Sequence, residues 1–194
     1  MNNRQQLVTI VLLMSLTAPL SAQTQLVNGN TYSETVEIGG QTLILVGSGL
    51  RKRLFLDVYT MGAYTESRIC DPQMLISLDE TKYLRIDLLR DVDAKSMVQT
   101  LEDALEKNLP TAARSSLQSQ VDTFVSYFEK DLEKGDRMEL IYAPGVGTVL
   151  MQNRQQQGVT MPGKGFADVL WSSYFSSATC CSRLKNQILV QCSR

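Results

Sequence analysis

The chain contains no histidine, and this absence narrows the range of functions more than any other feature of its composition. It excludes catalysis by Ser-His-Asp or Cys-His groups, and it excludes nearly all ordinary zinc sites. The chain also lacks an excess of charge, since 19 basic residues stand against 20 acidic ones. Nothing in this balance indicates binding to nucleic acid or to an anionic membrane surface. We therefore predict no metal ion, no cofactor and no nucleic-acid partner.

Cysteine is scarce as well, with four residues at Cys70, Cys180, Cys181 and Cys192. They form no Cys-x-x-Cys sequence, so a redox motif is not supported. In an exported protein an even number favours structural disulfides, although the spacing does not fix how they connect. Because Cys180 and Cys181 are adjacent, one of them could pair with Cys192 across a short terminal helix. The other could then reach Cys70 or stay reduced.

Charge is also missing from the N-terminal run 7–20, which follows Arg4 and precedes small residues. This layout is typical of a secretory signal peptide. The run is too short and too polar to make a convincing membrane span. We predict a signal peptide at 1–22, one domain at 23–194, a periplasmic location and no integral span after processing. An uncleaved anchor is the alternative.

The periodicity of apolar residues predicts an α+β domain with strands, two helices, further strands and two final helices. Strands are predicted at 35–38, 42–46, 53–64, 74–78, 82–89, 137–142 and 147–152, with a polar turn at 155–158. Helices are predicted after Asp93, from Thr111, after Pro162-Gly163 and from Ser182. In the strand at 82–89 the charged Arg85 and Asp87 alternate with apolar residues, which is typical of a half-exposed antiparallel strand. Segregated elements of this kind favour an antiparallel sheet with helices on one face.

The sequence Gly-Ser-Gly-Leu-Arg at 47–51 is the most informative motif of the chain. We interpret it as a turn that places Arg51 at the start of the long strand 53–64. An arginine held in this way can fix a carboxylate or an enolate, because its guanidinium makes charge-assisted, bidentate hydrogen bonds. The alternative is a solvated strand end, since Arg51, Lys52 and Arg53 form a short run of charge.

Four stretches of the chain, at 47–64, 84–93, 134–148 and 165–185, resemble the chalcone isomerase-like family, in particular its exported bacterial branch. Together they span most of the mature chain in the right order. They are specific for a fold and not for an activity. The resemblance implies an open-faced β-sandwich, in which a layer of helices covers a large antiparallel sheet.

The resemblance also implies which residues occupy the family's functional positions. Arg51 stands where the isomerases have an arginine, Tyr59 where they have a threonine, and Ser173 near a small hydroxyl residue that touches substrate. The positions of their tyrosine and asparagine fall near Ala94 and Leu101, which carry no polar side-chain group. An isomerase needs donors aimed at an enolate oxygen whose charge grows in the transition state. We therefore expect no chalcone isomerase activity.

Non-catalytic plant relatives that bind fatty acids are a closer chemical parallel. The resemblance implies that Arg51 and Tyr59 hold a carboxylate, with Ser173 nearby. We predict a protein that binds a small amphipathic acid in an apolar cleft anchored by Arg51, without chalcone isomerase activity. Two alternatives stay open: an isomerase or intramolecular lyase acting on an enone-like substrate, and a structural protein of the envelope whose side chains fill the cleft.

Overall fold

The computed structural model describes residues 24–179 and 181–192, so the predicted signal peptide at 1–22 and Cys180 lie outside the described residues. Its strands are β1 (Thr24–Val27), β2 (Asn30–Ser33), β3 (Thr35–Ile38), β4 (Gln41–Arg53), β5 (Leu56–Thr65), β6 (Lys82–Leu88), β7 (Arg137–Ala143), β8 (Gly147–Gln152) and β9 (Gln155–Met161). Its helices are α1 (Pro72–Ser77), α2 (Ala94–Asn108), α3 (Arg114–Val125), α4 (Lys164–Phe175) and α5 (Ser182–Cys192), with a 3-10 turn at Thr111–Ala113. None of these helices is long and apolar enough to cross a membrane.

Strands β3 to β9 form one seven-stranded antiparallel sheet in which each strand pairs with its neighbour in the chain. The helices cover one face of this sheet, and a large apolar core that includes Phe124, Leu140 and Trp171 lies between the two layers. The predicted α+β architecture with helices on one face is therefore confirmed. The short hairpin β1–β2, which the sequence patterns did not predict, covers a second and smaller core around Tyr32 and Tyr64 on the opposite face.

The glycine motif at 47–51 is not a turn, which corrects the interpretation of the sequence. It lies within β4, and the chain reverses at Leu54 and Phe55 instead. The two glycines are needed because α5 packs directly on β4. A Cβ on Gly47 would lie 2.2 Å from the carbonyl oxygen of Ile188, and one on Gly49 would lie 2.8 Å from a methyl group of Leu184. Arg51 consequently lies near the end of β4.

Two further predictions of local structure are wrong. The run 74–78 is part of helix α1, which Asp71 caps by accepting a hydrogen bond from the backbone of Met74, with Pro72 in the first turn. The polar segment 155–158 belongs to strand β9, and the reversal before it is made by Asn153 and Arg154, both in the left-handed region. In both cases tertiary packing outweighs the weak preference of a short segment.

The β6 strand is not half-exposed, because elements cover both of its faces. Lys82 is fully buried, and Asp87 is 5% exposed. The Lys82 ammonium donates hydrogen bonds to the carbonyl oxygens of Leu75 and Ile76 at the end of α1, and it lies 5.3 Å from the centre of the Trp171 ring. Burial lowers the pKa of Lys82 to about 8. Charged residues in this strand therefore belong to the interior and do not mark a solvated face.

The predicted helix cap at Asp93 is confirmed, since its carboxylate accepts a hydrogen bond from the backbone of Ser96 at 2.9 Å. The second helix is shorter than predicted. It begins with the 3-10 turn at Thr111–Ala113 and ends at Val125. Phe128 lies beyond the end of the helix and packs in the main core. The helix from Lys164 to Phe175 and the terminal helix from Ser182 agree with the predictions.

A disulfide joins Cys70 to Cys192, with their Cα atoms 5.4 Å apart. This corrects the alternative in which Cys192 pairs with Cys180 or Cys181. Cys181 and Cys192 lie at opposite ends of α5, and eleven residues of helix rise by about 16 Å, far beyond the span of a disulfide. Cys181 is instead buried in the main core.

Candidate ligand-binding cleft

A cleft of about 320 Å³ opens between the helix-covered face of the sheet and helices α2, α3 and α4. This volume lies at the lower end of the range of roughly 300–1,000 Å³ that is usual for small-molecule sites. Most of the lining is apolar, and the deepest side chains come from both layers: Leu140 and Leu150 from the sheet, Phe124 and Leu170 from the helices. The predicted apolar cleft is therefore open and is not filled by side chains.

The lining also carries positive charge. Arg51 is partly buried there, while Arg53 and Lys107 are exposed. Among the described residues no carboxylate forms an ion pair with any of these three cations. The lining also contains the carboxylate of Asp103, which accepts a hydrogen bond from Gln99 at 3.1 Å. Three cations and one carboxylate give the lining of the cleft a net charge of about +2.

Arg51 and Tyr59 are direct partners across the β4–β5 hairpin, and both line the cleft. The register of the hairpin shifts between Arg51 and Lys52. Such an irregularity bends a strand and changes the direction of its side chains. The Tyr59 hydroxyl lies 3.9 Å from the Cys181 sulfur at the start of α5. The two residues that the resemblance paired are therefore neighbours, and their contact with a ligand stays a prediction.

Ser173 also lines the cleft, but its hydroxyl is already engaged. It donates a hydrogen bond of 2.6 Å to the carbonyl oxygen of Leu170, one turn earlier in α4. Its own backbone carbonyl accepts a hydrogen bond of 2.8 Å from the hydroxyl of Thr179. With its proton committed, the Ser173 hydroxyl can accept a hydrogen bond from a ligand but cannot donate one. It therefore suits a ligand hydroxyl better than a carboxylate.

The two positions at which the isomerases carry a tyrosine and an asparagine differ in their location. Leu101 lines the cleft with an apolar side chain. Ala94 is the first residue of α2, where its backbone donates a hydrogen bond to Asp131 at 2.8 Å. Neither residue can donate a side-chain hydrogen bond to an oxygen bound in the cleft.

Sequence reasoning missed several polar residues of the lining, among them Arg53, Lys107 and Tyr174. Each of these three had a signal. Arg53 is two residues from Arg51 in the same strand, a spacing that places side chains on one face. Lys107 continues the helical spacing of the apolar residues of α2, and Tyr174 lies one turn after Leu170 in α4. Within the described residues there is no cluster of three or more side chains suited to a metal ion.

The fold and the cleft define a class of protein in which helices cover an antiparallel sheet and leave an apolar cavity between the layers. The family model described as chalcone isomerase-like matches residues 24–190. The chain therefore belongs to the chalcone isomerase-like family. A solved fatty-acid binding protein of Arabidopsis thaliana shares the fold, with a TM-score of 0.69 and 16% sequence identity over 88% of this chain and 98% of that one. No curated protein matches the chain in sequence.

Proposed function

We propose that the protein binds a small amphipathic carboxylic acid, such as a fatty acid, in the cleft without catalysing a reaction on it. The observation that carries the proposal is an apolar cavity whose lining includes three cations that have no ion-pair partner among the described residues. A fatty acid has the complementary shape, because its chain can replace water in the cavity while its carboxylate meets the cations.

Arg51 is the best anchor among the three cations. It is partly buried, whereas Arg53 and Lys107 are exposed, so salt and water screen its charge less. Its planar guanidinium can hold both oxygens of a carboxylate at once. Tyr59 lies directly across the hairpin from it and offers a hydroxyl to the same group. Arg53 and Lys107 then raise the local concentration of anions near the cleft.

The polar groups of the cleft favour binding over catalysis. Stabilising an enolate requires several donors aimed at one oxygen. Leu101 provides none, Ala94 is not part of the lining, and the Ser173 proton is held by Leu170. The fold shared with a plant fatty-acid binding protein supports the same proposal.

Replacing Arg51 with alanine is expected to weaken dodecanoate binding about 10- to 100-fold, because one charge-assisted contact is worth about 1.5–3 kcal/mol. Isothermal titration calorimetry with dodecanoate and with its methyl ester measures this directly. The ester should bind the wild-type protein weakly and should bind the Arg51→Ala variant equally weakly. Arg68→Ala is the matched control, since Arg68 is exposed, pairs with Glu34 and lies outside the cleft.

An unchanged affinity of Arg51→Ala for dodecanoate would show that Arg51 is not the anchor. Equal binding of acid and ester by the wild-type protein would show that the charge of the ligand is not recognised. Loss of binding in Arg68→Ala would indicate a general effect of net charge and would contradict a specific anchor. Failure of the wild-type protein to bind either compound would remove the proposed function.

We also propose that residues 1–22 direct the protein to the periplasm. The disulfide between Cys70 and Cys192 supports this location, because structural disulfides persist in oxidising compartments. Mass spectrometry of the protein recovered from a periplasmic fraction is expected to give the mass of a chain that begins at Gln23. Recovery of the intact chain from the cytoplasm would contradict the proposal.

A further inference from the structure

The turn between β4 and β5, together with the first residue of β5, exposes three consecutive large apolar side chains. Leu54 is 87% exposed, Phe55 96% and Leu56 52%, and we call these three residues the apolar tip. Other exposed large apolar residues of the described chain, such as Val146 at 62%, do not form such a run. Single exposed apolar residues are normal on a protein surface, whereas a contiguous group indicates a site of interaction.

The fold does not require these residues at the turn. Leu54 has a φ of 55°, in the left-handed region. Two-residue hairpin turns favour asparagine and glycine there, since a bulky side chain is strained in this conformation. Leu54 and Phe55 belong to neither apolar core. The chain thus carries exposed leucine and phenylalanine at a turn where small polar residues would fold more easily.

Positive charge adjoins the tip directly. Arg51, Lys52 and Arg53 precede it, and within the described part of the chain only Lys52 among them forms an ion pair, with Asp57 at 2.8 Å. Three cations and one carboxylate give the base of the tip a net charge of about +2, although the whole chain has a net charge of -1. Apolar side chains beside a group of arginine and lysine are suited to the interface of an anionic bilayer, where the side chains enter the acyl region and the cations meet the headgroups.

The tip is too small for a stable contact with another protein, which usually buries about 800 Å² on each partner. A bilayer needs no preformed pocket to receive two or three side chains. The tip also lies beside the cleft, because Arg51 and Arg53 at its base and Val58 just beyond it line the cavity. A bilayer that receives the tip would therefore meet the entrance of the cleft.

We propose that the apolar tip inserts into the surface of an anionic lipid bilayer and holds the cleft entrance against it. An amphipathic acid, which is poorly soluble in water, can then pass between bilayer and cleft with its carboxylate close to Arg51 throughout. This passage rests on the proposed function, whereas the docking does not. The near-neutral net charge of the whole chain gave no indication of a membrane-binding surface, because the excess of basic residues is confined to the base of the tip.

A tryptophan placed at the tip reports insertion. Val146 provides the matched control, because it is an exposed residue in the turn between β7 and β8, at the opposite end of the sheet. With vesicles of brominated phosphatidylglycerol, the fluorescence of Phe55→Trp is expected to be quenched and that of Val146→Trp to stay unchanged. The native Trp171 is 1% exposed in the core and gives the same background in both variants. Both chains also share the same N-terminus.

Equal quenching in the two variants, or no quenching in Phe55→Trp, would overturn the proposal.

Flotation with phosphatidylglycerol vesicles gives an independent measure of binding to the bilayer. Phe55→Ser is expected to bind at least about tenfold more weakly than the wild-type protein, and Val146→Ser equally well. Binding should also fall as salt rises from 0.1 M to 1 M, since the screening length shortens from about 10 Å to about 3 Å. Equal binding to phosphatidylcholine vesicles would contradict the part assigned to the cations.

The two proposals fail in different ways. A wild-type protein that binds dodecanoate but no vesicles overturns the docking and leaves the proposed function standing. A protein that binds vesicles through Phe55 but binds no dodecanoate overturns the proposed function and leaves the docking standing. A third possibility is that the tip joins two copies of the chain, and analytical ultracentrifugation tests it. If the wild-type protein is a dimer and Phe55→Ser is a monomer, the tip is a contact between copies and the proposed docking to a bilayer is overturned.

Discussion

The double variant Cys70→Ala/Cys192→Ala is expected to be about 5 kcal/mol less stable than the wild-type protein, because the disulfide closes a loop of 122 residues in the unfolded chain. The two cysteines are 122 residues apart in sequence. In a domain of this size the change should lower the melting temperature by roughly 10–20 °C. Calorimetric or circular-dichroism melting of the oxidised proteins measures it.

The wild-type protein in excess reductant is the matched control, since it loses the bond and keeps both sulfur atoms. It should melt close to the double variant, and reductant should leave the melting temperature of the double variant unchanged. A wild-type protein that melts at the same temperature with and without reductant would contradict the prediction. A double variant much less stable than the reduced wild-type protein would assign the loss to packing around Cys192.

The disulfide also bears on the cleft through the position of α5. Strand β3 pairs with only the first four residues of β4, so the rest of that edge needs other partners. Two glutamines of α5 supply them: Gln187 accepts a hydrogen bond from the Leu50 backbone at 2.7 Å, and Gln191 accepts one from the Ser48 backbone at 3.0 Å. The disulfide fixes the end of this helix beside the strand that carries Arg51. Reduction is therefore expected to weaken dodecanoate binding as well as the fold.

The sequence patterns predicted the fold well where a segment was long and strongly periodic. Strands β7 and β8 and helices α2 and α4 are examples, since alternation, caps and helical spacing agree there. Helix α1 is a short apolar run that periodicity cannot assign, and the three glutamines that begin β9 have little intrinsic preference for a strand. Pairing with β8 decides their conformation, and no local pattern contains that information.

The site was predictable only in part, for a related reason. The resemblance brought Arg51, Tyr59 and Ser173 together, and all three do line one cleft. The reason for the glycine at position 47 could not be read from the sequence, because the helix that requires it follows more than a hundred residues later. The engaged state of the Ser173 hydroxyl likewise depends on backbone geometry that residue types do not specify.

Replacing Asp87 with alanine is expected to reduce stability by about 3 kcal/mol, the usual effect of removing one partner from a buried charged group. Its carboxylate lies on the face of the sheet opposite the cleft and is 5% exposed. It pairs with the Nε atoms of Arg85 at 2.9 Å and Arg137 at 2.8 Å, and it accepts a hydrogen bond from the Tyr32 hydroxyl at 2.9 Å. The variant leaves two guanidinium groups side by side without the carboxylate that pairs with both of them. Urea unfolding measures the loss.

Asp122→Ala is the control for this prediction, since Asp122 is exposed on α3 and its replacement should change stability by no more than about 0.5 kcal/mol.

Tyr32 belongs to β2, so its hydrogen bond to Asp87 also holds the β1–β2 hairpin against the sheet. Tyr32→Phe should therefore lose about 1 kcal/mol in the wild-type background and less in Asp87→Ala, because the shared hydrogen bond is already gone. Strictly additive losses would show that the two groups do not interact. A total loss below 1 kcal/mol in Asp87→Ala would show that water can replace the carboxylate between the arginines.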